Sequence, residues 1–246
     1  MLCQACATAA PDAVPTDNEL PGKVLFVGNS FTYYNNSLHN HFRRLTFSAG
    51  LFTPQNSRAR IQTISGGHLP EHDGGFQHVL DGDDWDVVVM QGHSLGPITE
   101  QTAGPFRSAA RKFAAIARDQ GTRPVFFMTW AYTDRPEMTA KLDEAYTAIG
   151  RELNAQVVPV GLAFAAVTSE RPDIPLRTDD KRHPTLAGTY LAACTFFAAL
   201  YRQSPQGLGY GAGLGNETAG YLQAIAWQTV QRYNKREADW MPAAVR

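Results

Sequence analysis

The hydrophobic positions of the chain fall into short runs rich in β-branched and aromatic residues, separated by longer stretches of helical period. Lys23–Gly28 (KVLFVG) ends in glycine, the pattern of a buried parallel strand that leads into a loop. After Ser37, a candidate N-cap, Leu38, Phe42, Leu45 and Ala49 recur three or four apart and predict a helix over 38–49. Residues 59–64 alternate as a second strand that runs into Ser65, Gly66 and Gly67. Residues 85–90 (WDVVVM), 124–130 (PVFFMTW) and 156–160 read as three further strands, while 102–120, 137–153, 161–168, 186–201 and 218–233 carry helical spacing. Alternating strands and helices imply right-handed parallel crossovers. The expected fold class is therefore α/β: a three-layer α/β/α sandwich on a parallel five-stranded sheet, with chemistry gathered outside the carboxyl ends of the strands.

Residues 1–22 carry no such period and read as a disordered tail or the remnant of a signal peptide, which leaves 23–246 as a single domain. Ala7, Thr8, Ala9 and Ala10 resemble the end of an export signal, though the basic and apolar segments that precede such an end are absent. A secreted or periplasmic protein is expected, with the cytoplasm left open. The pattern does not reveal an oligomeric state.

Charge and cysteine content narrow the function classes. With 22 Lys plus Arg against 23 Asp plus Glu, no electrostatic excess exists to hold a nucleic acid. No apolar run approaches the ~20 residues of a membrane span. Cys3 and Cys6 lie in the tail and Cys194 inside an apolar helical pattern, so they suggest no disulfide framework. The repeat 207–215 (GLGYGAGLG) does not match Gly-x-Gly-x-x-Gly and reads as a flexible surface loop.

Two segments carry chemistry. Gly28-Asn29-Ser30-Phe31-Thr32 follows the first strand and puts Ser30 at its exposed end, near a helix N-terminus where positive potential favours an anion. Position 32 is Thr, so the Gly-x-Ser-x-Gly elbow is not met, and taken alone this serine reads equally well as a helix cap. Far along the chain, Asp180-Lys181-Arg182-His183-Pro184 precedes the most apolar helix. There Asp180 can accept from Nδ1 of His183, leaving Nε2 to take the proton of Ser30. Alone, that pair reads as a solvated ion pair; together the two segments supply nucleophile, base and orienting carboxylate. His68 and His72 are four apart near Asp73, but glycines at 66, 67, 74 and 75 argue against the helix that a metal site would need.

These segments carry a resemblance. VLFVGNSFT is similar to the first block of the SGNH (GDSL-like) hydrolases, and DDKRHPTLAGTYLAA to their final Asp-x-x-His block. More closely, GNSFT, SGGHLPEH, WDVVVMQGHS, VPVG and HPTLAGTYLAA resemble a bacterial SGNH-like group named only as a domain of unknown function, across about 23–201. The resemblance implies a flavodoxin-like sandwich and a catalytic triad of Ser30, Asp180 and His183. It implies an oxyanion hole from the N–H of Ser30 and of Gly66 or Gly67. The third family block reads Gly-x-Asn, whereas this chain has Met90-Gln91-Gly92-His93-Ser94. That stretch resembles the sialate O-acetylesterase-like branch, which carries the amide role to Gln91, with His93 as the alternative. Asn29, Tyr33, His72, His93 and Trp130 are the expected substrate contacts, with Tyr33, Tyr34 and Trp130 forming either an apolar, sugar-stacking wall or a cap on the core.

The function expected is a serine esterase that hydrolyses a small-molecule or carbohydrate ester through an acyl-enzyme, with an acetyl group on a sugar favoured and no metal or organic cofactor. The alternatives are a lipase or thioesterase of the same fold, and a non-catalytic carbohydrate-binding protein on a hydrolase scaffold.

Overall fold

The computed structural model describes residues 20–240, so Cys3, Cys6 and the residues resembling a signal peptide lie outside the described range. At the start of that range the chain is already packed. Pro21 is buried and its carbonyl accepts from the Tyr201 hydroxyl at 3.0 Å, while the Gly22 N–H donates to Asp86 Oδ2 at 2.7 Å.

Five strands form one parallel sheet: β1 (Lys23–Gly28), β2 (Arg58–Thr63), β3 (Val87–Met90), β4 (Arg123–Phe127) and β5 (Gln156–Val158), in the order β2-β1-β3-β4-β5. β1 pairs with β2 from Lys23↔Arg58 to Gly28↔Thr63 and with β3 from Val24↔Val87 to Val27↔Met90. Every residue of β3 is buried, which is why its sequence is continuously apolar rather than alternating.

The helices are α1 (Ser30–Tyr33), α2 (Leu38–Ser48), α3 (Asp73–Leu80), α4 (Glu100–Asp119), α5 (Met138–Glu152), α6 (Val160–Glu170), α7 (Leu186–Tyr201) and α8 (Asn216–Trp240). Right-handed crossovers place α2 on one face and α3 and α4 on the other, in keeping with the contacts of α2 with α7 and of α3 with α4. α7 is buried from Ala187 to Tyr201 because α8 covers its outer side, which accounts for its lack of a polar stripe. No helix among the described residues is long and apolar enough to cross a membrane.

Three local expectations need correction. Ser37 precedes α2, but its Oγ donates to the Thr32 carbonyl at 3.0 Å and caps no helical N–H. Gly74 and Gly75 do not interrupt a helix: a 3₁₀ turn (Leu69–His72) leads into α3, where Phe76 and Leu80 are buried and outweigh the weak propensity of glycine. The glycine-rich segment 207–215 contains no helix or strand, as expected, yet it is tied down by Tyr210. The Tyr210 N–H donates to Ser48 Oγ at 3.2 Å and its carbonyl accepts from Tyr190 at 2.6 Å.

Candidate active site

The chain leaves β1 toward β2 on one side and leaves β3 toward β4 on the other, so the carboxyl ends of β1 and β3 flank the switch point of the sheet. Ser30 sits there as the first residue of α1. The Asn29 side chain caps that helix by accepting from the Phe31 N–H at 3.1 Å. As first helical residue, Ser30 has an N–H with no intrahelical acceptor, and no hydrogen bond among the described residues takes it.

The 178–184 loop brings the distant residues to this point. The Thr178 N–H donates to the His183 carbonyl at 2.8 Å, closing the loop, and Lys181 takes a positive φ of 69° at its tip. Asp180 Oδ1 accepts from the N–H of Arg182 and of His183 at 2.8 and 2.9 Å and from Thr178 Oγ1 at 2.9 Å. Asp180 Oδ2 pairs with His183 Nδ1, and His183 Nε2 lies 2.9 Å from Ser30 Oγ. Burial pushes the Asp180 carboxyl up, but the hydrogen bonds from His183, Arg182 and Thr178 outweigh it and hold the group well below the usual carboxylate range. Ser30, His183 and Asp180 thus form one hydrogen-bonded series.

Aromatic rings fix the imidazole. Tyr34 stacks on His183 at 4.3 Å and 9°, and Phe31 presents an edge to it at 5.8 Å. Phe31 in turn stacks on Trp130 (4.3 Å, 7°) and Trp130 on Phe164 (4.1 Å, 1°). Trp130 is fully buried in this column and donates from Nε1 to the Arg182 carbonyl at 2.9 Å. It is therefore a core residue that holds the histidine loop, not a wall for substrate. Asn35 adds a second tie, from Nδ2 to the Pro184 carbonyl and Thr189 Oγ1, both at 2.8 Å. The backbone of Asn35, Asn36 and Ser37 has φ of 51°, 64° and 66°. Two asparagines, which tolerate the left-handed region, were the one sequence signal for that tie.

The roles expected of Asn29 and Gln91 change. Gln91 Oε1 accepts from the Asn29 N–H at 3.3 Å and from Thr32 Oγ1 at 2.6 Å. A backbone N–H only donates, so the other end of the amide is Nε2, which donates to Asn29 Oδ1 at 2.6 Å and to the Gly92 carbonyl at 3.2 Å. Both of its hydrogens are spent, and the residue is buried, so Gln91 cannot also donate to an oxyanion. Asn29 is buried too and donates from Nδ2 to the Gly67 carbonyl at 3.0 Å, so it ties three loops together and is not a substrate contact.

The two glycines after β2 are now distinct. The Gly67 N–H donates to the Ile64 carbonyl at 3.0 Å and closes a turn in which Gly66 has φ of 65°. The exposed Gly66 N–H has no partner among the described residues. Tyr33 reaches the same loop, its hydroxyl 3.1 Å from Ser65 Oγ, and remains half-buried at the surface. His72 is buried with neither ring nitrogen hydrogen-bonded among the described residues, and burial is the largest cause of its lowered pKa, so it is not the exposed substrate contact that was expected.

Beside these loops lies a cavity of about 210 Å³ lined by residues such as His68, Glu71, His93, Pro105 and Phe106. The His68 and His93 rings stack at 4.5 Å and 16°. His93 has its pKa lowered by burial and then by the charges of His68 and Arg182. Sequence reasoning passed over Glu71 because nothing in its spacing separates it from a solvated carboxylate. Among the described residues no group of three or more His, Cys, Asp or Glu is placed to hold a metal.

No known family model and no curated protein matches the sequence. Solved structures do. A DUF4886 family protein from Bacteroides uniformis superposes with a TM-score of 0.68 at 19% identity, covering 85% of this chain and 94% of that one. A protein from Slackia heliotrinireducens assigned to the SGNH hydrolases gives 0.61 at 25% identity, over 72% of this chain and 98% of that one. The chain has the fold of the SGNH/GDSL-like hydrolases. A variant of an acetyl xylan esterase from Geobacillus stearothermophilus shares the SGNH fold at a TM-score of 0.55 and 17% identity, covering 73% of this chain and 94% of that one.

Proposed function

We propose that this SGNH-fold protein is a serine hydrolase that cleaves carboxylic esters through an acyl-enzyme on Ser30. The observation that carries the reading is the 2.9 Å contact of Ser30 Oγ with His183 Nε2, on a ring whose Nδ1 is held by Asp180. In that arrangement Nε2 takes the serine proton as Oγ attacks the ester carbonyl, and returns it to the leaving alcohol. Asp180, held ionised by its hydrogen bonds, fixes the tautomer and stabilises the imidazolium. The oxyanion is received by the free N–H groups of Ser30 and Gly66, backbone donors that need no reorganisation as charge develops. Water then repeats the cycle on the acyl-enzyme. An acetyl ester of a carbohydrate is the favoured substrate, a choice supported by the fold likeness to an acetyl xylan esterase.

The test is turnover of p-nitrophenyl acetate together with covalent labelling by a fluorophosphonate. Ser30→Ala should lose both while keeping its circular dichroism spectrum. Asp180→Asn should fold but lose on the order of 10⁴ in kcat, the scale known for the matching change in a serine-protease triad, because an amide facing Nδ1 imposes the wrong tautomer. Full turnover in Ser30→Ala would refute the assignment.

A further inference from the structure

The cavity lined by His68, Glu71 and His93 has a donor, an acceptor and an apolar side. His93 and His68 each follow closely on a residue bonded to Asn29, Ser30's neighbour: Gln91 on the β3 side and Gly67 on the β2 side. The stacked imidazoles therefore join two loops that meet over the end of β1.

The hydrogen bonding fixes what each group offers. His93 Nδ1 accepts from the Leu95 N–H at 3.2 Å, so in the neutral ring the proton is on Nε2, a donor with no partner among the described residues. Burial, followed by the nearby charges of His68 and Arg182, favours that neutral form. Glu71 Oε2 accepts from the His68 N–H at 3.1 Å, which leaves Oε1 as an acceptor. Pro70, Pro105 and Phe106 supply apolar surface. At about 210 Å³ the space is smaller than the roughly 300–1,000 Å³ of sites that take drug-sized ligands.

We propose that this cavity is the subsite for the alcohol half of the ester and that it selects a single hydroxylated ring, with Glu71 accepting from one hydroxyl and His93 Nε2 donating to another. A hydroxyl both donates and accepts, so adjacent hydroxyls answer a carboxylate and an imidazole N–H side by side, while the C–H face of a sugar lies on the prolines and Phe106. A plain alkyl chain would leave both polar groups unpaired, which costs more than its apolar contact returns. The inference rests on the ester-hydrolase reading and names the substrate feature that the site reads.

The experiment compares p-nitrophenyl acetate with an O-acetylated methyl xyloside, using the full chain and two variants. His93→Phe keeps a ring against His68 and removes the donor. Glu71→Gln keeps an oxygen for the His68 N–H and turns a donor toward the cavity in place of the acceptor. Each should raise KM for the sugar ester about tenfold relative to KM for p-nitrophenyl acetate, with the smaller change in kcat, as expected for a lost hydrogen bond to substrate. An unchanged KM ratio in both variants overturns the inference. If the wild type turns over p-nitrophenyl acetate through Ser30 but not the sugar ester, the inference fails and the esterase reading stands. If it turns over neither, the reading itself fails.

Discussion

The side-chain amides of Gln91 and Asn29 are engaged with one another across 62 residues of sequence: Gln91 Nε2 donates to Asn29 Oδ1 at 2.6 Å, and Gln91 Oε1 accepts from the Asn29 N–H. Gln91 therefore acts on Ser30 by holding the turn that carries it, as a positioning residue. Gln91→Ala strands the Asn29 N–H and the Thr32 hydroxyl in a buried space, and should cost about 2–3 kcal/mol of stability. A direct oxyanion donor would behave differently, with kcat falling and stability unchanged. Urea denaturation and ester kinetics on the same preparation separate the two, and a fully stable Gln91→Ala with a collapsed kcat would restore the donor role.

Trp130 should influence activity without touching substrate. Trp130→Phe preserves most of the stack between Phe31 and Phe164 but deletes the hydrogen bond to the Arg182 carbonyl, next to His183. We expect a loss of about 1 kcal/mol in stability and a lower kcat with KM little changed, since the imidazole loses a support and the binding surface does not. Trp130→Ala should cost about 3–5 kcal/mol from the cavity it leaves. A Trp130→Phe enzyme with wild-type kcat would show that the loop holds itself.

Two glycines should respond in opposite directions. A Cβ on Gly28 would stand 2.5 Å from Gln91 Oε1 and 2.8 Å from Thr32 Oγ1, so Gly28→Ala should cost about 1–3 kcal/mol and disturb the Ser30 turn. Gly74 lies inside α3 at negative φ, with nothing within 4 Å of an added Cβ, so Gly74→Ala should stabilise by about 0.5–1 kcal/mol. Melting temperatures of the two variants moving the same way would contradict this account.

Stability should fall as the pH drops below 6.5. His39, His41, His72 and His93 all have lowered pKa values with burial as the largest cause, reinforced for His39, which reaches about 4, by Arg43. A lowered histidine stays neutral in the folded chain where the unfolded chain binds a proton. Unfolding then takes up protons, and stability rises with pH between the folded and unfolded values. The contribution is complete above the unfolded value of 6.5 and is lost progressively toward about 4. Urea midpoints at pH 7.5 and 5 should differ accordingly, and His39→Gln should reduce the difference. A midpoint independent of pH over that window would contradict the burial of these rings.

The sequence by itself determined the sheet and singled out the two segments that carry Ser30 and the Asp180–His183 pair. Five short apolar runs, each followed by glycine, polar residues or a helical period, suffice to specify parallel strands and helical crossovers, because burial on both faces leaves a one-dimensional trace. It also placed Ser30 after a strand and Asp180 three residues before His183, and both positions hold in the structure. What only the tertiary structure decided is how the polar groups near Ser30 are used. A glutamine has the same atoms whether its amide faces an oxyanion or a neighbouring asparagine, and only the packing of β1 beside β3 spends the Gln91 hydrogens on Asn29 and Gly92. Likewise, the sequence leaves Trp130 open between a wall for substrate and a cap on the core, and the stack between Phe31 and Phe164 decides for the core. The pairing of His68 with His93 joins loops that are separate in sequence and meet only because β1 lies between β2 and β3. Hydrogen bonds and ring contacts at long sequence separation leave no period in the chain, so nothing local announces them.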